Sequence, residues 1–112
     1  MRKKFKSVIL LLSIVTNNLF ANDANLILAK NKNCMTCHKI DKKYIGPPFN
    51  AISARYLNKE ENVIYLMQKI KKGSQGSWGA IPMPAQTNIT KEESKELAIW
   101  ILKFSQKKLN NY

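Results

Sequence analysis

Two cysteines and a histidine within five residues are the part of this 112-residue chain best suited to chemistry. They form the run Cys34-Met35-Thr36-Cys37-His38, and the chain has no other cysteine or histidine. A C-x-x-C-H run is the pattern of covalent haem attachment. Each thiol can form a thioether with a vinyl group of the porphyrin, and the histidine that follows can bind the iron from one side. The motif therefore predicts one haem bonded through Cys34 and Cys37, with His38 as an axial ligand.

Other uses of a cysteine pair require features that this sequence lacks. A disulfide across three positions would close a very short loop, so it would restrict the unfolded chain little. A structural zinc site needs four nitrogen or sulfur ligands, but only Cys34, Cys37 and His38 are present. A thioredoxin-like pair belongs to a mixed α/β framework, and a haem-free metal loop would have only three soft ligands here. Haem attachment is the favoured interpretation.

The second axial ligand follows by elimination. No second imidazole is available, and a methionine thioether is the usual alternative in c-type haem proteins. The chain has four methionines, at Met1, Met35, Met67 and Met83. Met1 would leave with an export signal, and Met35 lies inside the attachment loop. Met67 falls on the apolar stripe of a predicted helix, as core methionines do. Met83 stands between Pro82 and Pro84, whose fixed backbone angles can hold its sulfur toward the iron. Met83 is therefore the predicted second ligand. The alternative role for Met83 is that of a loop methionine packed in the core.

The first 21 residues have the layout of a secretory signal. A basic start without acids is followed by the apolar run Val8–Val15 and then by the segment Asn17-Asn18-Leu19-Phe20-Ala21. A membrane anchor would need about 20 apolar residues, and this run is interrupted by Asn17 and Asn18. We therefore expect residues 1–21 to be a signal peptide and residues 22–112 to be one mature domain, with cleavage after Ala21 or Ala24.

The chain is strongly basic, with 19 lysines and arginines against seven acids. Removing residues 1–21 takes away four basic residues and no acid, which leaves 15 against seven, a net charge near +8. An exported chain meets membranes and acidic proteins rather than nucleic acid, and a basic surface speeds its encounter with acidic partners. We expect redox partners with an acidic docking surface, no nucleic-acid partner and no membrane span in the mature chain. The alternative is that scattered lysines only keep the protein soluble.

The elements that must position these residues are predicted to be helical. A first helix is expected over residues 24–30 with Asp23 as its N-cap, and a weak one over 49–57 after the breaker at Gly46-Pro47-Pro48. Residues 60–72 form a stronger amphipathic pattern that Gly73 ends.

The remaining third of the chain divides into a loop and a final helix. Residues 73–90, rich in glycine and proline, are predicted to be an irregular loop, and no strand pattern appears. Thr90 and Glu93 form a predicted capping box for a last helix with an apolar face at Leu97, Trp100, Ile101 and Phe104. The fold class is all-α, with about four helices around a core so small that a cofactor would fill it.

Four stretches of the chain resemble the small one-haem bacterial class I cytochromes c, especially those of the cytochrome c-551 type. They are residues 34–41, 45–49, 70–84 and 97–102, and the Gly, Trp and Pro pattern around Met83 is the most specific of them. The resemblance implies a periplasmic one-electron carrier with histidine and methionine ligation that donates to a reductase or terminal oxidase. It also implies that the carbonyl of Pro47 accepts a hydrogen bond from His38.

Further residues take their expected roles from the same resemblance. Trp78 matches a residue whose indole N–H binds a haem propionate; a core aromatic is the alternative. Lys69 stands where an arginine is frequent, and it would present a point charge to a propionate in place of a two-pronged clamp. Gln86 stands near an asparagine that commonly bonds the ligating sulfur.

Two other functions remain as alternatives to a free carrier. One is a haem c subunit of a larger respiratory complex, although we expect a monomer. The other is a haem peroxidase or gas sensor, which would need an open iron site and polar catalytic groups beside it. The mature chain has no spare histidine and only one arginine, Arg55, so we expect an electron-transfer protein and not an enzyme.

Overall fold

The structure is a computed structural model that describes residues 17–105. Most of the predicted signal, residues 1–16, lies outside the described residues, as do residues 106–112. The elements in chain order are α1 (Asn17–Asn31), a 3₁₀ turn (Cys34–Thr36), α2 (Phe49–Arg55), α3 (Glu60–Lys72), β1 (Ser74–Gly76), β2 (Gly79–Met83) and α4 (Lys91–Leu102). The predicted all-α architecture with about four helices is confirmed for this part of the chain, with one small hairpin added. None of its helices is both long and apolar enough to cross a membrane.

The core is built around α4, which packs against α1, α2 and α3. Its apolar face is almost completely buried and meets one apolar side chain or more from each of the other helices. The buried apolar residues are Ala29, Phe49, Ile52, Val63, Leu66, Ile70, Ile89, Leu97, Ala98, Trp100, Ile101 and Leu102. Phe104 lies beyond the end of α4, where the sequence predicted helix, but its ring still packs against Phe49 and Trp100.

Helix α3 begins and ends where the sequence predicted. Gly73 terminates it with φ 79°, and its N–H donates to the carbonyl of Lys69 at 2.9 Å. This positive φ favours glycine. A Cβ on Gly73 would also stand 2.5 Å from the carbonyl oxygen of Met83. Gly73 therefore both ends the helix and lets the Met83 backbone pass close to it.

The predicted capping box of α4 is confirmed. The N–H of Glu93 donates to Thr90 Oγ1 at 3.1 Å, and the N–H of Thr90 donates to Glu93 Oε1 at 3.0 Å. Lys32, just after α1, adds an ion pair to Glu93 Oε2 at 3.1 Å and a hydrogen bond to the carbonyl of Asn88 at 2.8 Å. The start of α4 is thus tied to the end of α1.

Two helix boundaries differ from the sequence prediction. Helix α1 already includes Asn17, so Asp23 lies inside it and not at its start. The helix runs through both expected cleavage positions, and signal cleavage stays a prediction. Helix α2 stops at Arg55, because Tyr56 takes an extended backbone conformation (φ −107°, ψ 117°). The predicted continuation to Leu57 was wrong.

The expectation of an irregular loop without strands after Gly73 was also wrong. Strands β1 and β2 pair antiparallel, with Ser74 opposite Met83 and Gly76 opposite Gly79. Both of these glycines have positive φ, 83° and 118°, which lets the chain reverse across Ser77 and Trp78. The strands are short and irregular in register, and Pro82 has no N–H to donate. A hairpin of this kind shows no alternating pattern in the sequence.

Candidate functional site

One largely apolar cleft collects the predicted site residues. It has a volume of about 990 Å³ including its open mouth, and its walls come from the end of the attachment turn, residues 43–47, the end of α2, one face of α3 and the hairpin. Among the described residues that line it, Lys43 and Lys69 are the charged ones, and no acid is present. Such a cleft favours a largely apolar ligand that carries negative groups.

The attachment motif folds as a tight turn at one end of the cleft. Asn33 enters it with φ 62°, a conformation that asparagine tolerates. The N–H groups of Cys37 and His38 both donate to the carbonyl of Cys34, at 3.2 and 2.9 Å. The two thiols are free, and Cys37 lines the cleft. Cys34 is not among the lining residues; it is partly buried against the core, and this burial raises the pKa of its thiol.

The imidazole of His38 is buried and has a defined tautomer. Its Nδ1 lies 2.7 Å from the carbonyl oxygen of Pro47. Because a carbonyl can only accept, Nδ1 must carry the proton and donate it. In the neutral imidazole, Nε2 then has a free electron pair, the state in which histidine binds a metal. The contact is the one that the resemblance implied for Pro47.

Two neighbours that the sequence analysis missed restrict the same ring. Phe49 stacks on His38 with ring centroids 5.3 Å apart and an angle of 22° between the planes. Gly46 lies so close that a Cβ there would stand 2.7 Å from His38 Cε1. In the sequence, Gly46 belonged to a helix breaker and Phe49 began the next helix, and both lay in the stretch 45–49 that resembles the family. None of these signals indicates contact with the histidine.

Met83 lies on the wall formed by the hairpin. It is partly buried, lines the cleft and packs against the core. Its backbone is paired with Ser74, and the N–H of Gln86 donates to the carbonyl of Ile70 at 3.0 Å shortly after it. Met67, the alternative on α3, packs against the core without lining the cleft.

Lys69 and Trp78 also line the cleft. The ammonium of Lys69 lies 5.1 Å from the ring centroid of Tyr65, and Trp78 is 36% exposed at the mouth. The structure therefore brings the predicted site residues to one cleft, except Cys34, which packs against the core, and Gln86, which is not among the lining residues. Their roles toward a haem stay predictions.

Two tyrosines in the cleft wall were not singled out by sequence. The rings of Tyr56 and Tyr65 are 5.2 Å apart. Burial raises the pKa of Tyr56, while the hydrogen bond from Tyr56 lowers the pKa of Tyr65. Tyr56 reaches the wall because α2 ends before it, a boundary that local sequence did not indicate.

The donor set fits a covalently bound haem. The chain supplies two free thiols, a histidine with an available Nε2 and a thioether, around walls that are mainly apolar. Within residues 17–105, no three histidine, cysteine or acidic side chains are grouped to hold a bare metal ion.

Comparison with known proteins gives a consistent result. The family model described as Cytochrome c matches residues 26–105. Cytochrome c-552 of Nitrosomonas europaea is 46% identical over 79 residues, which are 70% of this chain and 77% of that protein. Cytochrome c-551 of Pseudomonas aeruginosa is 40% identical over 90 residues, 80% of this chain and 85% of that protein. The crystal structure of wild-type Nitrosomonas europaea cytochrome c552 superposes with a TM-score of 0.68 at 44% identity, covering 70% of this chain and 98% of that one.

Proposed function

The chain belongs to the cytochrome c family, and from this premise we propose that it is a periplasmic one-electron carrier with His38 and Met83 as axial ligands. Family membership makes it an electron carrier with one covalent haem c, and not an enzyme. One observation supports the proposed ligation by His38 and Met83. His38 Nδ1 is hydrogen-bonded to the carbonyl oxygen of Pro47 at 2.7 Å, in the same cleft that Met83 lines. The cleft thus offers one nitrogen and one sulfur ligand.

Each residue has a defined task in this proposal. The haem supplies an iron that exchanges single electrons, and Cys34 and Cys37 fix the porphyrin covalently. Pro47 holds the imidazole in one tautomer and makes it a stronger ligand. Met83 fills the opposite position, and a thioether there favours the reduced iron. With both positions occupied by the protein, no substrate site is left on the iron.

The mouth of the cleft is the proposed docking surface for redox partners. Lys42 and Lys43 are exposed beside Tyr44 and Ile45, and Ile81 is 68% exposed on the hairpin. Apolar side chains surrounded by positive charge suit an acidic partner, which the charges steer and the apolar groups hold briefly. Lys69 and Trp78 are proposed to contact the propionates.

The proposed location depends on the first 21 residues, which carry the layout of a secretory signal. We therefore place the mature protein, residues 22–112, in the periplasm. That it is a monomer is the expectation from the sequence.

The test is an intact mass and an optical spectrum of the protein expressed as the full chain in a bacterium that attaches c-type haem. The periplasmic fraction should contain residues 22–112 or 25–112 plus the mass of one haem. The ferric protein should be low-spin and six-coordinate, with the weak near-infrared band of a sulfur-to-iron bond.

Two methionine variants test the sixth ligand. Met83→Ala should lose the near-infrared band and bind carbon monoxide rapidly when reduced, because it opens the iron. Met67→Leu, which changes a methionine outside the cleft, should keep the band. A polypeptide mass without haem, or a near-infrared band that survives Met83→Ala, would contradict the proposal.

A further inference from the structure

The β1–β2 hairpin carries Met83 but has little support of its own. Its residues are mostly exposed, and Met83 and Ser74, at its base, are partly buried. An isolated two-stranded hairpin is marginally stable at best in water. The base is tied to α3, since Gly73 N–H donates to Lys69 and Gln86 N–H donates to Ile70, at 2.9 and 3.0 Å. The tip of the hairpin consists of Ser77 and Trp78. It is too far from the base for these two hydrogen bonds to hold it in place.

Arg55 contacts both residues of the tip at once. Its guanidinium carbon lies 3.6 Å from the ring centroid of Trp78, and Nη1 donates to the carbonyl of Ser77 at 2.7 Å. A planar guanidinium can stack on an indole while an N–H at its edge bonds a neighbouring carbonyl. A lysine ammonium has no flat face, so it cannot make both contacts in this way.

The element that carries Arg55 is itself fixed in the core. Helix α2 buries Phe49, Ile52 and Ser53, and Ser53 Oγ donates to the carbonyl of Leu102 at 2.7 Å. Tyr56, the next residue, places its ring edge-on to Trp78 with centroids 6.4 Å apart. The tip of the hairpin is therefore attached to a rigid support through adjacent residues of the chain.

We propose that Arg55 is a positioning residue that fastens the tip of the hairpin across the cleft and so keeps Met83 on the iron. Trp78 stays in the cleft wall and β2 keeps its path to Met83 only while the tip is fastened. Without Arg55 the tip loses its charged hydrogen bond and its stacked cation and is left with weaker contacts such as the edge-on ring of Tyr56. The thioether therefore leaves the iron more often. This inference rests on the proposed ligation by His38 and Met83.

The test measures how often Met83 leaves the iron in the ferric haem protein. Cyanide is the probe, because it binds only after the thioether has dissociated. Arg55→Gln should bind cyanide about five- to tenfold faster than the unchanged protein, as expected for the loss of a cation–π contact and a charged hydrogen bond at an exposed site. Arg55→Lys should also be faster, since it keeps the charge but not the paired contact.

Lys59→Gln is the matched control, because it removes one positive charge from an exposed residue near α2. It should bind cyanide at the original rate. Equal acceleration in Lys59→Gln, or no acceleration in Arg55→Gln, would overturn the inference. The unfolding free energy of each variant is measured by circular dichroism. If its decrease fully explains the faster cyanide binding, the inference is also overturned.

A measurement on the unchanged protein keeps the inference testable if a variant does not fold. In the reduced, diamagnetic protein, the side-chain protons of Arg55 should show upfield NMR shifts from the Trp78 ring, and ordinary shifts would refute the contact. If the unchanged protein lacks the near-infrared band, the proposed ligation fails. If the band is present but the Arg55 variants bind cyanide normally, only this inference fails.

Discussion

At the scale of single residues, His38 is controlled by neighbours that each act on a different property of its ring. Pro47 determines the tautomer, Phe49 stacks on one plane, and Gly46 permits a close approach at Cε1. The sequence predicted the histidine because its motif is local and specific. The stacking partner and the close glycine were not predictable, since they meet the ring through the path of residues 39–48 rather than through spacing.

Gly46→Ala should displace the imidazole. The new Cβ would stand 2.7 Å from Cε1, which is closer than such atoms normally approach. We expect a loss of about 1–3 kcal/mol in unfolding free energy, as for other overpacked sites. We also expect a changed pattern of paramagnetically shifted haem methyl signals in the NMR spectrum, because these signals depend on the plane of the axial histidine.

Gly76→Ala is the control for this substitution. A Cβ at Gly76 meets nothing within 4 Å, but its φ of 83° makes alanine unfavourable there. It should therefore lower stability and leave the haem methyl pattern unchanged. Identical methyl patterns in Gly46→Ala and the unchanged protein would show that the glycine does not restrict the ring.

At the scale of elements, Ser53 joins α2 to the end of α4. Its buried Oγ donates to the carbonyl of Leu102 at 2.7 Å, accepts from the N–H of Ser105 at 2.9 Å and lies 2.8 Å from Ser105 Oγ. Ser53→Ala should cost about 1–3 kcal/mol in urea unfolding, because it leaves buried partners unbonded. Ser94→Ala is the matched control: this buried serine bonds the carbonyl of Lys91 within its own helix, so its loss should cost clearly less. Equal losses would show that Ser53 does not join the two elements.

The start of α4 should give a pH-dependent stability. The hydrogen bond from the N–H of Thr90, with a further contribution from Lys32, lowers the pKa of Glu93 below its ordinary value of 4.5. A lowered folded-state pKa means that the stabilisation is complete above 4.5 and is lost as the pH falls through the folded-state value. The difference in unfolding free energy between the unchanged protein and Glu93→Gln should therefore shrink in urea titrations below pH 4.5. Lys32→Gln should reduce the effect, and a difference that stays constant with pH would contradict it.

The elements also show which parts of the fold local sequence could predict. Helix α3 and the start of α4 were placed correctly because Gly73 and the Thr90 and Glu93 pair are signals contained in a few residues. The hairpin was missed because its pairing is made by backbone groups around Gly76 and Gly79. The early end of α2 was missed because no glycine or proline between residues 49 and 57 marks a stop at Tyr56.

At the scale of the whole molecule, the charges are separated along the fold. The first turns of α3 and α4 hold acids, at Glu60, Glu61, Glu92 and Glu93. The cleft is lined by Lys43 and Lys69, and among its described lining residues there is no acid. These lysines therefore contribute a positive potential at the proposed docking surface.

This distribution predicts opposite salt effects for small oxidants of opposite charge. Oxidation of the reduced protein by ferricyanide, an anion, should slow several-fold as the Debye length falls from about 30 Å at 0.01 M to about 8 Å at 0.15 M salt. Oxidation by tris(phenanthroline)cobalt(III), a cation, should become faster, because the same screening removes repulsion at the cleft mouth. Lys43→Gln should weaken both trends in stopped-flow measurements, whereas Lys103→Gln, which removes an exposed charge outside the cleft lining, should change them less. If salt changes the two rates in the same direction, the field at the cleft mouth does not steer the oxidants. An acidic partner would then have to be recognised by the apolar side chains Tyr44, Ile45 and Ile81.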